Sequence, residues 1–479
     1  MLTKGEREMM AVKSGLLRMI IGFGLVMVAF GASFSEEGPL KKLDLTGYVG
    51  IEAGQLVKYR YQDGKDYDHQ WLEDNLLRLG VNTSFHPRLN ASMGFEARLF
   101  YNTFPFNLNI VGNPGQVVFG TNIDFHFDRA LITLNCSPDL KDSLLKIYIG
   151  LFPYKYNNEV RNLGEYLFRS GCYPGYLVSD EEGFDRTAPQ LSGIRISNQL
   201  FNCWRNDLFL TSELYLWPLQ DFSLSYVTSY SSFNKVFDIG AGISLYHIFP
   251  VDKHLTQPTS DDNGNAANYY FADGDAARTD TLHYTYAGTK LMARATFDPK
   301  PFFGSDIFGK EDLKIYAEAA ILGVRNYPAD SITNFQSNYT GNFFGYDKLL
   351  QKMPMMVGIN FPMFKGLDVF SLEVEYYGKK YPNRVPVPKV GAAMIRYPVS
   401  TSPEGTGGNY SDNDYSGGAA QWKWSFYAKK TIFNNFSITG QIARDHSRIQ
   451  TTLPVNIDQE EALIKDSHWY WILKFAYGF

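Results

Sequence analysis

The chain ends His468-Trp469-Tyr470-Trp471-Ile472-Leu473-Lys474-Phe475-Ala476-Tyr477-Gly478-Phe479, and the reading of this stretch decides the fold. Counted back from the end, every second residue (Phe479, Tyr477, Phe475, Leu473, Trp471, Trp469) is apolar or aromatic. The other parity, Gly478, Ala476, Lys474, Ile472, Tyr470 and His468, is small, polar or mixed. Successive side chains of a strand point to opposite faces, so this spacing predicts a strand with one oily face. A soluble sheet buries such a face. A transmembrane barrel turns it to lipid, with aromatics at the two interfaces.

The same alternation recurs upstream. Leu43, Leu45, Val49 and Ile51 stand against Asp44, Thr46 and Glu52; Leu77, Leu79 and Val81 stand against Arg78 and Asn82. Leu145, Ile147, Ile149 and Leu151 alternate with Lys146, Tyr148 and Gly150. Phe370, Leu372 and Val374 oppose Ser371, Glu373 and Glu375; Trp422, Trp424 and Phe426 oppose Lys423, Ser425 and Tyr427. Segments near 91–101, 123–128, 208–216, 237–245, 313–321 and 436–442 alternate likewise, and with weaker ones near 191–198, 222–231, 284–297 and 354–361 the count is about 16 strands, within 14 to 18.

The connections follow a rota. Short or moderate turns near 86–88, 137–142, 232–235, 298–311, 362–366 and 431–434 interleave with long polar stretches at 61–74, 102–121, 155–189, 249–281, 326–352, 379–420 and 447–465. That layout predicts an all-β, antiparallel, up-and-down transmembrane β-barrel with short periplasmic turns and long extracellular loops. One short connection, Trp217 to Asp221, falls where a long loop is due and reads more like a periplasmic turn, so the region 190–250 is the least regular.

Composition agrees. In 479 residues there are 36 Phe, 32 Tyr and 42 Gly, which favours strands and turns. Mean hydropathy is −0.24, too polar for helical spans of about 20 apolar residues each. The N-terminus carries Lys4, Arg7, Lys13 and Arg18, then an apolar run Met19–Phe30, then Gly31, Ala32 and Ser33. This predicts a signal peptide at 1–33 and a single barrel domain at 34–479. Net charge is −5; removing 1–33 takes away four basic and two acidic residues and leaves −7. A mildly acidic chain argues against nucleic acid as a partner. Cys136, Cys172 and Cys203 show no metal-ligand spacing, and a Cys172–Cys203 disulfide is left open.

The terminal Phe479 with its alternating aromatics, the leader and the strand–turn–strand–loop rhythm resemble those of the bacterial outer-membrane porins, over about 34–479. The resemblance implies a Gram-negative outer-membrane location with lipid and lipopolysaccharide around the barrel. It implies that Trp469, Trp471, Leu473, Phe475, Tyr477 and Phe479 are read by the barrel-assembly machinery. It also implies a homotrimer and passive diffusion of small hydrophilic solutes and ions. In that family the third long loop folds into the lumen and opposes its acids to a basic wall. Here that loop is 155–189. Its acids are Glu159, Glu165, Asp180, Glu181, Glu182 and Asp185; the wall candidates are Arg78, Arg98, Lys146 and Arg195.

Independently of the resemblance, the inward parity carries both charge signs. Unpaired charge is costly in an apolar core, so a water-filled lumen is expected. Two alternatives stand beside the diffusion channel. One is a carbohydrate-selective porin using Tyr148, Phe152, Tyr215, Trp217, Tyr316 and Tyr427 as stacking surfaces. The other is a structural or adhesion barrel binding surfaces through loops 249–281 and 379–420. Asp124-Phe125-His126-Phe127-Asp128 and Asp445-His446 could serve general-base chemistry, but no nucleophile motif accompanies them. No phosphate-binding loop or metal cluster is present in the sequence, so neither an enzyme nor a cofactor is expected.

Overall fold

The computed structural model describes residues 43–58, 69–102, 120–137, 144–168, 190–201, 203–212, 222–232, 235–249, 269–271, 281–283, 288–303, 306–321, 353–376, 422–445, 448–453, 456–461 and 467–479. The first nine strands are β1 Leu43–Lys58, β2 Gln70–His86, β3 Leu89–Asn102, β4 Gly120–Asn135, β5 Leu145–Pro153, β6 Gln190–Leu200, β7 Trp204–Ser212, β8 Phe222–Ser232 and β9 Phe237–Phe249. A small hairpin, β10 Tyr269–Phe271 with β11 Thr281–His283, lies in the next long connection. The wall resumes with β12 Gly288–Phe297, β13 Ile315–Ile321, β14 Met355–Asn360, β15 Val369–Tyr376, β16 Trp422–Ile432 and β17 Phe436–Arg444. A second hairpin, β18 Arg448–Leu453 with β19 Asn456–Glu461, precedes the last strand, β20 Trp469–Gly478.

Sixteen of these strands, β1–β9, β12–β17 and β20, close into one barrel. All pair antiparallel with their chain neighbours, and β20 returns to pair with β1. Among the described residues no helix is long and apolar enough to cross a membrane. The strand count therefore agrees with the sequence expectation. The irregular region resolves in one way: a turn at 201–203 joins β6 to β7, and the connection 213–221 leaves from the long-loop end. The sequence reading has no turn at 201–203. The reason is local: Leu200, Phe201 and Trp204 form an apolar run without Gly or Pro. Phe201 makes the turn by adopting a positive φ of 54°.

Alternation sorts the two faces. Ile51, Ile239 and Val357 are 55%, 52% and 56% exposed on the outside, while Glu52, next to Ile51, is 6% exposed inside. Trp469 to Phe479, taken at every second residue, lie on that outer face, where Leu473, Phe475, Tyr477 and Phe479 are all exposed. Closure is a backbone event at the seam. Gly47 N donates to Phe479 O at 2.7 Å and Phe479 N donates to Gly47 O at 2.9 Å. Inside the same seam, Lys474 of β20 is ion-paired to Glu52 of β1, both buried.

Candidate functional site: the inward-folded loop and the lumen wall

After β5 the chain does not stay at the barrel's rim. Residues 154–168 fold inside the barrel, where Tyr154, Tyr156, Val160, Leu163, Tyr166, Leu167 and Phe168 are buried. They pack on inward side chains of the wall: Leu191 of β6, Phe209 of β7, Val227 of β8, Met292 of β12, Tyr316 of β13 and Met356 of β14. The rings of Tyr154, Phe168 and Phe209 meet edge to face at centroid distances of 4.5 to 5.6 Å. The wall is shaped to receive the segment. At Gly358 of β14 a Cβ would lie 2.1 Å from the Tyr316 ring. Opposed across β5 and β6, Gly150 and Gly193 adopt φ of 123° and 149°, and a Cβ at either would strike a neighbouring carbonyl. Only glycine takes that backbone without strain.

Carboxylates of the wall hold the segment through its backbone and side chains alike. Glu373 of β15 accepts from the consecutive amides of Arg161, Asn162 and Leu163 at 2.5, 2.8 and 2.8 Å, and from the Tyr316 hydroxyl at 3.0 Å. Successive N–H groups curled round one anion form a nest, so the loop meets Glu373 with oriented dipoles. Glu318 of β13 accepts from the Tyr156 hydroxyl at 2.6 Å, Asn157 Nδ2 at 2.9 Å and the Tyr166 amide at 2.9 Å. Glu375 accepts from the Tyr166 hydroxyl at 2.7 Å. Asp445, just beyond β17, accepts from Asn162 Nδ2. Buried acids of this kind are tolerated because donors surround them.

The candidates from the sequence fall in several places. Glu159 meets Lys314 Nζ at 3.0 and 3.1 Å, and Lys314 also reaches Glu311 at 3.0 Å. Arg161 joins the same group through Glu311 at 2.9 Å. Burial opposes the charge on Lys314, but Glu159 and Glu311 outweigh it and hold the ammonium above its ordinary value. Burial likewise raises Glu311, and Lys314 with Arg161 more than reverses this. Glu165 is buried and accepts from the Asn157 amide at 2.6 Å. Asp180, Glu181, Glu182 and Asp185 lie outside the described residues.

On the wall, Arg78 of β2 pairs with Glu96 of β3 and lies 5.6 Å from the Tyr48 ring. Arg195 of β6 pairs with Asp207 of β7 at 2.9 Å and lies over the Tyr148 and Tyr154 rings at 4.5 and 4.8 Å. Lys146 faces inward near the turn end of β5, half-buried. Arg98 sits on β3 opposite Leu76 and Asp124; its side chain is outside the described residues. Glu159 thus meets Lys314, and the segment's hydrogen bonds to the wall run to acids; of the four basic candidates, Arg195 meets the segment at the Tyr154 ring. Glu318, Glu373 and Glu375 are legible in the sequence as inward charges, but no sequence signal marks them as anchors of a segment elsewhere in the chain. Of the six possible stacking residues, Phe152, Tyr316 and Tyr427 are buried, Tyr148 packs against that core, and Tyr215 and Trp217 lie outside the described residues. Among the described residues no cluster could hold a metal ion.

A closed antiparallel barrel of this strand number, with short turns at one end, long connections at the other and one connection folded inward, is an outer-membrane porin-type fold. No protein-family model matches the chain, and no curated protein matches it. Among solved structures, OprB of Pseudomonas putida is similar over 91% of this chain and 94% of its own, at 10% identity and a TM-score of 0.46. A mutant of the Rh. blastica porin is similar over 91% of this chain and 100% of its own, at 7% identity and a TM-score of 0.40.

Proposed function

We propose that this chain is a porin-like channel of a Gram-negative outer membrane, passing small hydrophilic solutes and ions by diffusion. The observation that carries the reading is the one-sided placement of the loop. Its described part packs on the wall from β5 to β14 and hydrogen-bonds β15, reaching past it at Asp445. On the opposite side, from β16 through β20 to β4, Glu52, Glu96, Lys423 and Lys474 are buried while Arg78, Arg129 and Lys429 stay partly exposed. Charged side chains facing a lumen imply water, because an apolar filling would leave them unsolvated at a cost of several kcal/mol or more each. The loop then acts as a constriction, and the wall charges set which ions pass.

With this reading go a leader at 1–33, assembly through the terminal alternating strand, surrounding lipid and lipopolysaccharide, and a homotrimeric state. No catalytic step is assigned. The test is reconstitution of the purified barrel into planar bilayers. Discrete conductance steps that grow with salt are expected, with liposomes permeable to small sugars and closed to large ones. A folded, inserted barrel that gives neither would end the channel reading and leave the adhesion alternative.

A further inference from the structure

The turn-side end of the lumen wall between β5 and β7 holds two arginines on one carboxylate, with Lys146 in the same row two strands away. Arg195 Nη2 and Arg205 Nε each lie 2.9 Å from Asp207, on opposite oxygens. Lys146 and Asp207 both stand directly across from Ser197, on its two sides in the sheet. Ser197 Oγ also accepts from Arg195 at 3.4 Å. The Tyr154 hydroxyl donates to Asp207 at 2.9 Å. Burial, with Asp207 beside it, holds that phenol well above its ordinary value, so it adds no negative charge. The next inward acid along the wall, Asp238 of β9, is held by Arg294 and Ser231.

The charges do not cancel. Among the described residues this patch of wall carries three cations and one carboxylate, which leaves a surplus of two. Exposure is unequal as well. Asp207 and Arg195 are buried beneath Tyr154, Phe168 and Phe209, whereas the Arg205 side chain is 40% exposed. Lys146 is half-buried and has no ion-pair partner among the described residues. Arg205 uses Nε on Asp207, so the terminal nitrogens of its guanidinium remain for a ligand. A fork of this kind suits planar and tetrahedral oxyanions. Arg205 is also held by the Tyr154 ring, 5.9 Å from its centroid, which limits the order it must lose on binding.

We propose that Arg205 and Lys146, backed by the Arg195–Asp207 pair, form a binding site for the oxyanion group of a small solute, phosphate or carboxylate, at the turn-side mouth of the lumen. This deepens the channel reading and rests on it for the route by which the solute arrives. Arg205 and Lys146 touch the anion. Arg195 is a positioning residue, fixing Asp207 so that Asp207 in turn aims Arg205.

The experiment is calorimetric titration of the full barrel in detergent with inorganic phosphate at low salt, beside reversal potentials in planar bilayers. Wild type is expected to bind phosphate saturably and to favour anions. Arg205→Gln should weaken phosphate by about tenfold or more, the scale of one charge-assisted contact pair. Arg205→Lys should restore part of that loss, since it returns the charge without the fork. Lys429→Gln on the opposite wall should leave phosphate binding unchanged. Arg205 is well exposed and Asp207 keeps Arg195, so the variant barrels are expected to fold; gel mobility of unheated samples checks this. A conducting wild type that binds no phosphate, or equal weakening by Arg205→Gln and Lys429→Gln, overturns the site and spares the channel. Phosphate binding lost with Arg205 in a barrel that conducts nothing spares the site and overturns the channel.

Discussion

The two sides of this lumen are built from the same kind of strand and end up as different materials. From β5 to β15 the inward residues include Phe152, Leu191, Phe209, Met292, Tyr316 and Met356, all closed over by the segment 154–168. From β16 through β20 to β4 the inward residues include Glu52, Glu96, Lys423 and Lys474, which are buried, and Arg78 and Lys429, which are part-exposed, with cross-strand pairs at Arg78–Glu96 and Glu52–Lys474. The first side behaves as the core of a soluble protein, with an apolar cluster and satisfied buried acids. The second is held by polar pairing instead: Lys474 and Glu52 are buried against each other at the seam, while Arg78 and Lys429 stay part-exposed. A membrane barrel has no apolar solvent inside it, so a core there has to come from the chain itself. The inward loop supplies the larger core, on the β5–β14 side, while only a small cluster of Val369, Tyr427 and Ile472 lies on the other. The difference teaches where stability and where selectivity reside: substitutions on the covered side should unfold or reopen the barrel, while those on the open side should change what passes.

The largest expected effect breaks the covered side. Glu373→Ala strips the acceptor from three consecutive amides and the Tyr316 hydroxyl. Leaving buried donors unpaired should cost about 3–5 kcal/mol in urea unfolding of the lipid-reconstituted barrel. Single-channel conductance should rise as residues 161–163 leave the wall. Unchanged stability together with unchanged conductance would show that Glu373 does not hold the loop.

A smaller effect follows at Gly358→Val. The added side chain must displace the Tyr316 ring, whose hydroxyl is one of the Glu373 donors. Overpacking of this kind costs about 1–3 kcal/mol. If the ring can swing aside freely, the same urea titration will show no loss, and the packing on β13 and β14 is looser than its geometry indicates.

How much of this was legible beforehand depends on the range of the signal. Alternation is local, so the strand faces of Leu43–Ile51, Phe370–Val374 and Trp422–Phe426 could be read two residues at a time. The terminal strand could be read in the same way, and its outward aromatics lie where the spacing places them. The turn at 201–203 could not, because Phe201 bends the chain through an unusual φ rather than through Gly or Pro. The loop clamp is the opposite of local. Leu163 and Glu373 are separated by 210 positions, and nothing near either residue announces the other. Glu373 and Glu375 appear in sequence as ordinary inward acids on one strand face. Only closure of the barrel brings them to the segment they hold. The same holds for Arg205: it gains meaning from Asp207 and Arg195 together, across two strands and a turn that the spacing did not reveal.

The smallest expected effect sharpens the comparison from the open side. Lys429 lies inward on β16, part-exposed, with no ion-pair partner among the described residues. Its directly opposed neighbours, Val369 and Thr439, carry no charge. Lys429→Gln removes a cation without stranding an acid, so unfolding should shift by no more than about 0.5 kcal/mol. Yet a charge facing a narrow aqueous lumen acts on every passing ion. The reversal potential in a salt gradient should therefore move toward cations although stability stays put. A loss of stability on the scale of Glu373→Ala would mean that Lys429 belongs to a packed interior, and that the two sides of the lumen are not different in kind.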